Sequence, residues 1–174
     1  MFKGSIVALL TPFKNNKLDE DCYISLIHHH IKNGTMGLVP AGTTGESPTL
    51  NHEEHKNVVE ECIRIVDKRV PVIAGTGSNN TIEAIEFTNH AEKNKADAVL
   101  VVTPYYNKPT QEGLYSHYKK IADSTKLPII IYNIPGRSVV DMSIDTMVKL
   151  SKLNNIIGVK DATNDLLRPL LTRA

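Results

Sequence analysis

Apolar runs of strand length recur along this chain at a near-constant spacing, and that rhythm restricts the fold more than any other feature. The runs are Ser5–Leu10, Gly37–Ala41, Val70–Gly75, Ala98–Thr103, Pro128–Asn133 and Ile156–Lys160. Several are apolar on both faces, as in Ala98-Val99-Leu100-Val101-Val102 and Ile129-Ile130-Ile131. Such continuity suits parallel strands covered on both sides, whereas a half-solvated sheet would alternate. Helical stripes separate the runs: Tyr23, Leu26, Ile27 and Ile31; then Val58, Val59, Cys62, Ile63 and Val66; later Leu114, Tyr118, Ile121 and Ala122. Asn51 stands ahead of Glu54, and Asn80 ahead of Glu83, at the spacing of a capping box. Gly34 and Pro128 punctuate helix ends. Strict strand–helix alternation with no second composition regime predicts one parallel α/β domain over residues 1–174.

Two architectures fit that order: an open doubly wound sheet, and a barrel with only part of its circuit present. The repeat is about thirty residues per βα unit, so eight units need roughly 240, near the ~250 of a barrel. The 174 residues supply about six units, and periodicity alone favours the open sheet. Composition narrows the partners. Hydrophobic residues at 41% and charged residues at 22% describe a soluble globular chain. A net charge of +1 gives no reason to expect nucleic acid or an anionic membrane. No apolar stretch reaches bilayer length, and no signal-peptide layout is evident. Cys22 and Cys62 fall on apolar helical stripes without metal-site spacing, so they read as reduced core thiols and the cytoplasm as the default location.

Chemistry gathers at the strand ends. Thr43 and Thr44 follow the second strand in Gly42-Thr43-Thr44-Gly45-Glu46-Ser47, and Tyr105 and Tyr106 follow the fourth in Thr103-Pro104-Tyr105-Tyr106-Asn107. Tyr132 closes the fifth, ahead of Asn133-Ile134-Pro135-Gly136-Arg137, and Lys160 ends the sixth in Gly158-Val159-Lys160-Asp161. The C-terminal ends of parallel strands share one rim, where α/β folds place their sites. One amine with phenols, hydroxyls and a guanidinium suits imine chemistry, proton relay and carboxylate recognition. A lysine there either bends into water or, pointing into a barrel mouth, is desolvated and becomes a nucleophilic amine. Tyr132 is a core tyrosine or a proton donor and acceptor, with Thr43 and Tyr106 as relay partners. Arg137 is a solvated loop residue or a bidentate carboxylate holder. Gly42–Gly45 is a tight turn or a nest for a carboxylate.

Other patterns fail. Gly75-Thr76-Gly77 lacks the third glycine of a dinucleotide fingerprint, and no Gly-Lys-Ser/Thr phosphate loop occurs. His28, His29 and His30 diverge around a helix and read as a partly exposed face. His52 and His55 share a helix start, where surface histidines are the plainer reading.

Together these segments resemble the dihydrodipicolinate synthase family, also called 4-hydroxy-tetrahydrodipicolinate synthase, within the class I pyruvate-dependent aldolases. The resemblance runs from Met1 to about Arg168 and reverses the ranking of architectures. It implies a (β/α)8 TIM barrel of which about the first six βα units are present. It further implies a lyase with no metal or organic cofactor, joining pyruvate to L-aspartate-4-semialdehyde in diaminopimelate and lysine synthesis. On the family pattern Lys160 forms the Schiff base, and Tyr132 shuttles protons with Thr43 and with Tyr106, the latter reaching across a dimer interface. Thr44 binds the pyruvate carboxylate and Arg137 the aldehyde's carboxylate. Ser47, His52, His55, Asn79, Glu83 and Tyr105 match a lysine-effector site, with Pro48 where alanine is frequent. Two rival readings remain: another Schiff-base aldolase acting on N-acetylneuraminate or 2-keto-3-deoxy-sugar acids, and a catalytically dead fragment. The family carries two further strands and a C-terminal helical region past the position of Ala174, so the resemblance implies an incomplete catalytic domain. It also implies a dimer of dimers for a full-length parent.

Overall fold

The structure is a computed structural model in which residues 2–172 are described. The chain divides into two compact units, Met1–Gly75 with His90–Val99, and Thr76–Asn89 with Leu100–Ala174.

In the first unit β1 (Ile6–Ala8) lies parallel to β4 (Gly37–Val39), with Ile6 opposite Gly37 and Ala8 opposite Val39. A parallel bridge from Leu38 to Val72 leads to β5 (Ile73–Gly75). Asp97 then docks the start of the next strand on Val72 through its N–H at 2.9 Å and its carboxylate at 2.8 Å. Helices α1 (Glu20–Lys32) and α2 (His52–Val66) cover this ladder with Tyr23, Ile27, Val58, Cys62 and Val66, all buried. Asn51 and Glu54 form the expected capping box of α2, with bonds of 3.0 and 2.9 Å. Burying apolar area on this scale is the main favourable term of the fold.

Two details depart from the sequence reading. Cys62 is buried as expected, but Cys22 is exposed, because it sits a step off the Tyr23–Ile27 stripe. The stretch between the first strand and α1 is a small antiparallel hairpin, β2 (Phe13–Lys14) with β3 (Lys17–Leu18). Asn15 and Asn16 turn it at φ 53 and 60, the left-handed pair that a two-residue hairpin loop demands and that asparagine tolerates best after glycine.

In the second unit the end of β6 (Ala98–Val102), which starts in the first, β7 (Ile129–Asn133) and β8 (Ile156–Asp161) stand in that order. β7 and β8 are parallel, with a register irregularity after Ile129, beyond which Tyr132 faces Lys160 and Asn133 faces Asp161. Helix α4 (Gln111–Asp123) packs Leu114, Tyr118 and Ile121 inward, and the Tyr118 hydroxyl donates to the Val101 carbonyl at 2.8 Å. Short helices α5 (Pro135–Ser138), α6 (Ile144–Leu150) and α7 (Arg168–Leu171) complete this unit. Helix α3 (Thr81–Lys93) runs from the second unit into the first. At its start the Asn80 side chain accepts the Ile82 N–H at 3.0 Å, and the Ser78 hydroxyl donates to the Glu83 carboxylate. All six expected strands are present, most of them shorter than their apolar runs. Among the described residues no helix is long and apolar enough to cross a membrane.

The Gly75-Thr76-Gly77 segment has a packing explanation. A Cβ on Gly75 would fall 2.3 Å from the Ala41 carbonyl oxygen, within the first unit. One on Gly77 would fall 2.3 Å from the Val102 nitrogen, within the second. These glycines admit neighbouring backbone, not a phosphate.

Candidate active site

Lys160 and Tyr132 are brought together by the β7–β8 ladder. They are direct cross-strand partners, and the Lys160 Nζ lies 4.0 Å from the centroid of the Tyr132 ring. An ammonium at that distance is held by the negative face of the ring. Tyr132 is buried, its carbonyl accepting from the Thr103 N–H at 2.9 Å. Lys160 is exposed along with Ile157 and Val159. The sequence reading set a solvated lysine against a desolvated one; the described residues leave this amine open to water.

Tyr106 is the most unusual residue of the unit. It is 88% exposed and holds φ 72, and the Asn107 N–H donates to the Tyr105 carbonyl across it at 2.9 Å. That is a γ-turn with a bulky residue in the left-handed region, a strained arrangement. Asn107 is anchored by its side-chain N–H to the Asn79 carbonyl at 3.0 Å.

Arg137 lies on α5, one turn beyond β7, and is exposed. Pro135 opens this turn at a position where its missing N–H costs nothing. Ser138 closes it: its buried hydroxyl sits 2.9 Å from the Ile134 carbonyl and 3.0 Å from that of Val140, and accepts from Thr103 Oγ1 at 3.1 Å. Beyond it Val139 adopts φ 65, and Asp141 accepts from the Asn133 amide at 2.8 Å.

In the first unit the segment after β4 winds through successive turns. The N–H groups of Gly45 and Ser47 return to the Gly42 carbonyl and that of Glu46 to Thr43, so these are spent within the loop and do not make the carboxylate nest. Thr11 Oγ1 pins Gly45 at 2.7 Å. Thr43 is half-buried and Thr44 exposed.

The residues matched to an effector site fall in both units. In the first, Ser47 begins a 3-10 turn, His52 starts α2 and is exposed, and His55 is 2% exposed, so it is a core histidine rather than a surface one. In the second, Asn79, Glu83 and Tyr105 gather around Ser78, which is hydrogen bonded to Glu83. Burial pushes the Tyr105 phenol up, the Glu83 carboxylate adds to this, and bonds with Ser78 and the Asn79 backbone oppose it.

Sequence reasoning did not single out Asn133, Asp141 or Arg168. Arg168 donates from Nε to Asp161 at 3.0 Å and from Nη1 to Asp141 at 2.9 Å. Lone arginines carry no pattern; the only signal was their proximity in sequence to the rim motifs. Among the described residues no group of His, Cys, Asp and Glu side chains is arranged to hold a metal ion.

A family model described as the dihydrodipicolinate synthetase family matches residues 1–173. The chain is 69% identical over 166 residues to a 4-hydroxy-tetrahydrodipicolinate synthase of Pelagibacter ubique, covering 95% of this chain and 57% of that relative. It thus spans little more than half the length of such a relative. Among solved structures it matches the chloride-inhibited dihydrodipicolinate synthase of Acinetobacter baumannii complexed with pyruvate, with a TM-score of 0.94, 52% identity, and cover of 99% of this chain and 62% of that one. It also matches the enzyme of Cyanidioschyzon merolae with lysine bound, with a TM-score of 0.94, 39% identity, and cover of 99% and 60%. The fold is accordingly that of a (β/α)8 barrel, the chain holding its first units, and the open doubly wound sheet is set aside.

Proposed function

The chain belongs to the dihydrodipicolinate synthetase family, and from that membership we propose that it carries the imine-forming half of a 4-hydroxy-tetrahydrodipicolinate synthase, a cytoplasmic lyase that condenses pyruvate with L-aspartate-4-semialdehyde. The observation that carries this reading is the Lys160–Tyr132 pair, an amine 4.0 Å above a phenol ring at matched positions of adjacent strands. In the reaction the Lys160 amine attacks the keto carbon of pyruvate, and water leaves to give the imine. Loss of a methyl proton gives the enamine, whose carbon attacks the aldehyde while the aldehyde oxygen takes up a proton. The substrate amine then closes on the former keto carbon and displaces Lys160. Tyr132 carries protons in and out of these steps, with Thr43 and Tyr106 as relay partners. Thr44 holds the pyruvate carboxylate and Arg137 the aldehyde's, through a planar fork suited to two oxygens.

Tyr106 supports an oligomeric enzyme, in which the exposed, strained phenol reaches into a partner's site within a dimer of dimers. The test of the whole reading is a substrate panel. The complete polypeptide containing this chain, given pyruvate, consumes L-aspartate-4-semialdehyde in preference to N-acetylmannosamine and sugar-derived aldehydes. A preference for the sugars would assign it to the sialic-acid or keto-deoxy-sugar lyases instead.

The Asn79–Glu83–Tyr105 cluster favours a second reading at a second place: an amino-acid effector site that takes lysine, Ser47, His52 and His55 being the other residues that match the family's lysine-effector pattern. The Glu83 carboxylate suits an ammonium group. Calorimetry with lysine tests it. Saturable binding lost in Glu83→Ala is expected, and an absence of heat in the unaltered protein would remove it.

A further inference from the structure

Arg168 stands outside every motif the imine chemistry uses, yet its guanidinium ends beside the lysine's strand. Its Nε donates to Asp161 Oδ2 at 3.0 Å, Nη1 to Asp141 Oδ2 at 2.9 Å and Nη2 to the Met142 carbonyl at 2.6 Å. The Arg168 side chain is 11% exposed and that of Asp161 16%, so this arm of the fork is largely withdrawn from water, where charge-assisted bonds fix geometry most strongly, while Asp141 is 49% exposed. The remaining oxygens are also taken. Asp161 Oδ1 accepts the Thr163 N–H at 3.0 Å, and Asp141 Oδ1 accepts the Asn133 amide at 2.8 Å. The Asn133 amide oxygen in turn accepts the Met142 N–H at 3.0 Å, which closes the circuit.

Two members of this circuit are the immediate successors of the reacting pair. Asn133 follows Tyr132, Asp161 follows Lys160, and the two face each other in the ladder. The circuit also fixes the segment after Arg137, in which Val139 holds φ 65, a conformation a β-branched residue keeps only where its surroundings impose it. A planar fork can meet three acceptors lying in different directions, and an ammonium on a flexible stem cannot. Rotation of β8's end by a fraction of its pleat would swing Lys160 off the Tyr132 ring.

We propose that Arg168 is a positioning residue that holds the Lys160 amine in register with Tyr132 by clamping Asp161 and Asp141. The proposal rests on the reading of Lys160 as the imine-forming residue, and its test separates the two. Borohydride trapping of pyruvate is timed in the complete polypeptide and in its Arg168→Met, Arg168→Lys and Asp161→Asn variants, with thermal melting as the check on folding. At saturating pyruvate Arg168→Met traps about tenfold more slowly or worse, the scale of loss expected for a displaced nucleophile. The half-saturating pyruvate concentration stays within about twofold, because the pyruvate carboxylate is held elsewhere. Arg168→Lys, which keeps the charge and one acceptor, falls between. Asp161→Asn keeps the shape of the side chain and shows the same loss of rate, so the result stands if Arg168→Met does not fold. A parent-like rate in either folded variant, or a change confined to half-saturation, overturns the proposal. No trapping by the unaltered protein would instead sink the assignment of Lys160 itself.

Discussion

On the proposed reading Lys160 makes a covalent bond to pyruvate and Arg137 a carboxylate contact, and their removal should separate accordingly. Lys160→Ala abolishes trapping of pyruvate. Arg137→Ala leaves trapping intact and lowers kcat/KM for the aldehyde, since a charged hydrogen bond contributes about 1.5–3 kcal/mol, or roughly ten- to a hundredfold. Loss of trapping in a folded Arg137→Ala protein would show the two roles misassigned. At this scale Lys160 and Tyr132 were legible because each closes an apolar run, and strand ends meet on one rim whatever the loops do. Arg168 was not legible. It meets Asp161 and Asp141 across sequence separations of seven and twenty-seven, and only the path of two loops decides that such side chains converge. His55 misled for a related reason: a polar residue at a helix start reads as exposed until the packing of that turn is known.

Elements add constraints that single residues do not show. The close approach of Gly75 to the Ala41 carbonyl predicts that Gly75→Ala destabilises by about 1–3 kcal/mol, because backbone must move to make room for one methyl group. Urea midpoints of the two proteins measure it, and an unchanged midpoint would contradict the packing. His117 on α4 gives a pH signature. It is 5% exposed and pairs through Nδ1 with Thr81 Oγ1 at 2.9 Å, and burial lowers its pKa to about 4. Between that value and the ordinary ~6.5 the unfolded chain binds the proton and the folded chain does not, so stability rises with pH across this window. The contribution is complete above about pH 6.5 and is lost as pH falls toward 4, by about 3 kcal/mol in all. His117→Gln should therefore lose about 2 kcal/mol less than the parent between about pH 7.5 and 5; parallel curves would contradict this. The helices and strands were readable from stripes and runs. The β2–β3 hairpin was passed over although Asn15-Asn16 between short strands is a two-residue loop signal, because its strands are too short to show alternation.

At the scale of the molecule, β8 has a strand neighbour on one side only among the described residues. Its Ile157 and Val159 stand 49% and 37% exposed, and beyond it Leu166, Leu167, Leu170 and Leu171 are between 55% and 88% exposed. Ile157, Val159, Met147 and Pro169 line a groove of about 690 Å³ against this strand. An unpaired strand edge beside apolar surface invites association. The 174 residues expressed alone should therefore self-associate in light scattering, and a monodisperse monomer with a sharp melt would contradict that expectation. Barrel or open sheet could not be decided from periodicity, since both repeat the same unit; the motifs, and then the likeness to solved barrels, decided it. That Lys160 is the residue that bonds to pyruvate is tested most closely by peptide mapping after borohydride reduction. Pyruvate-derived mass is expected on the peptide containing Lys160 alone. Mass on another lysine, with Lys160 unmodified, would contradict it.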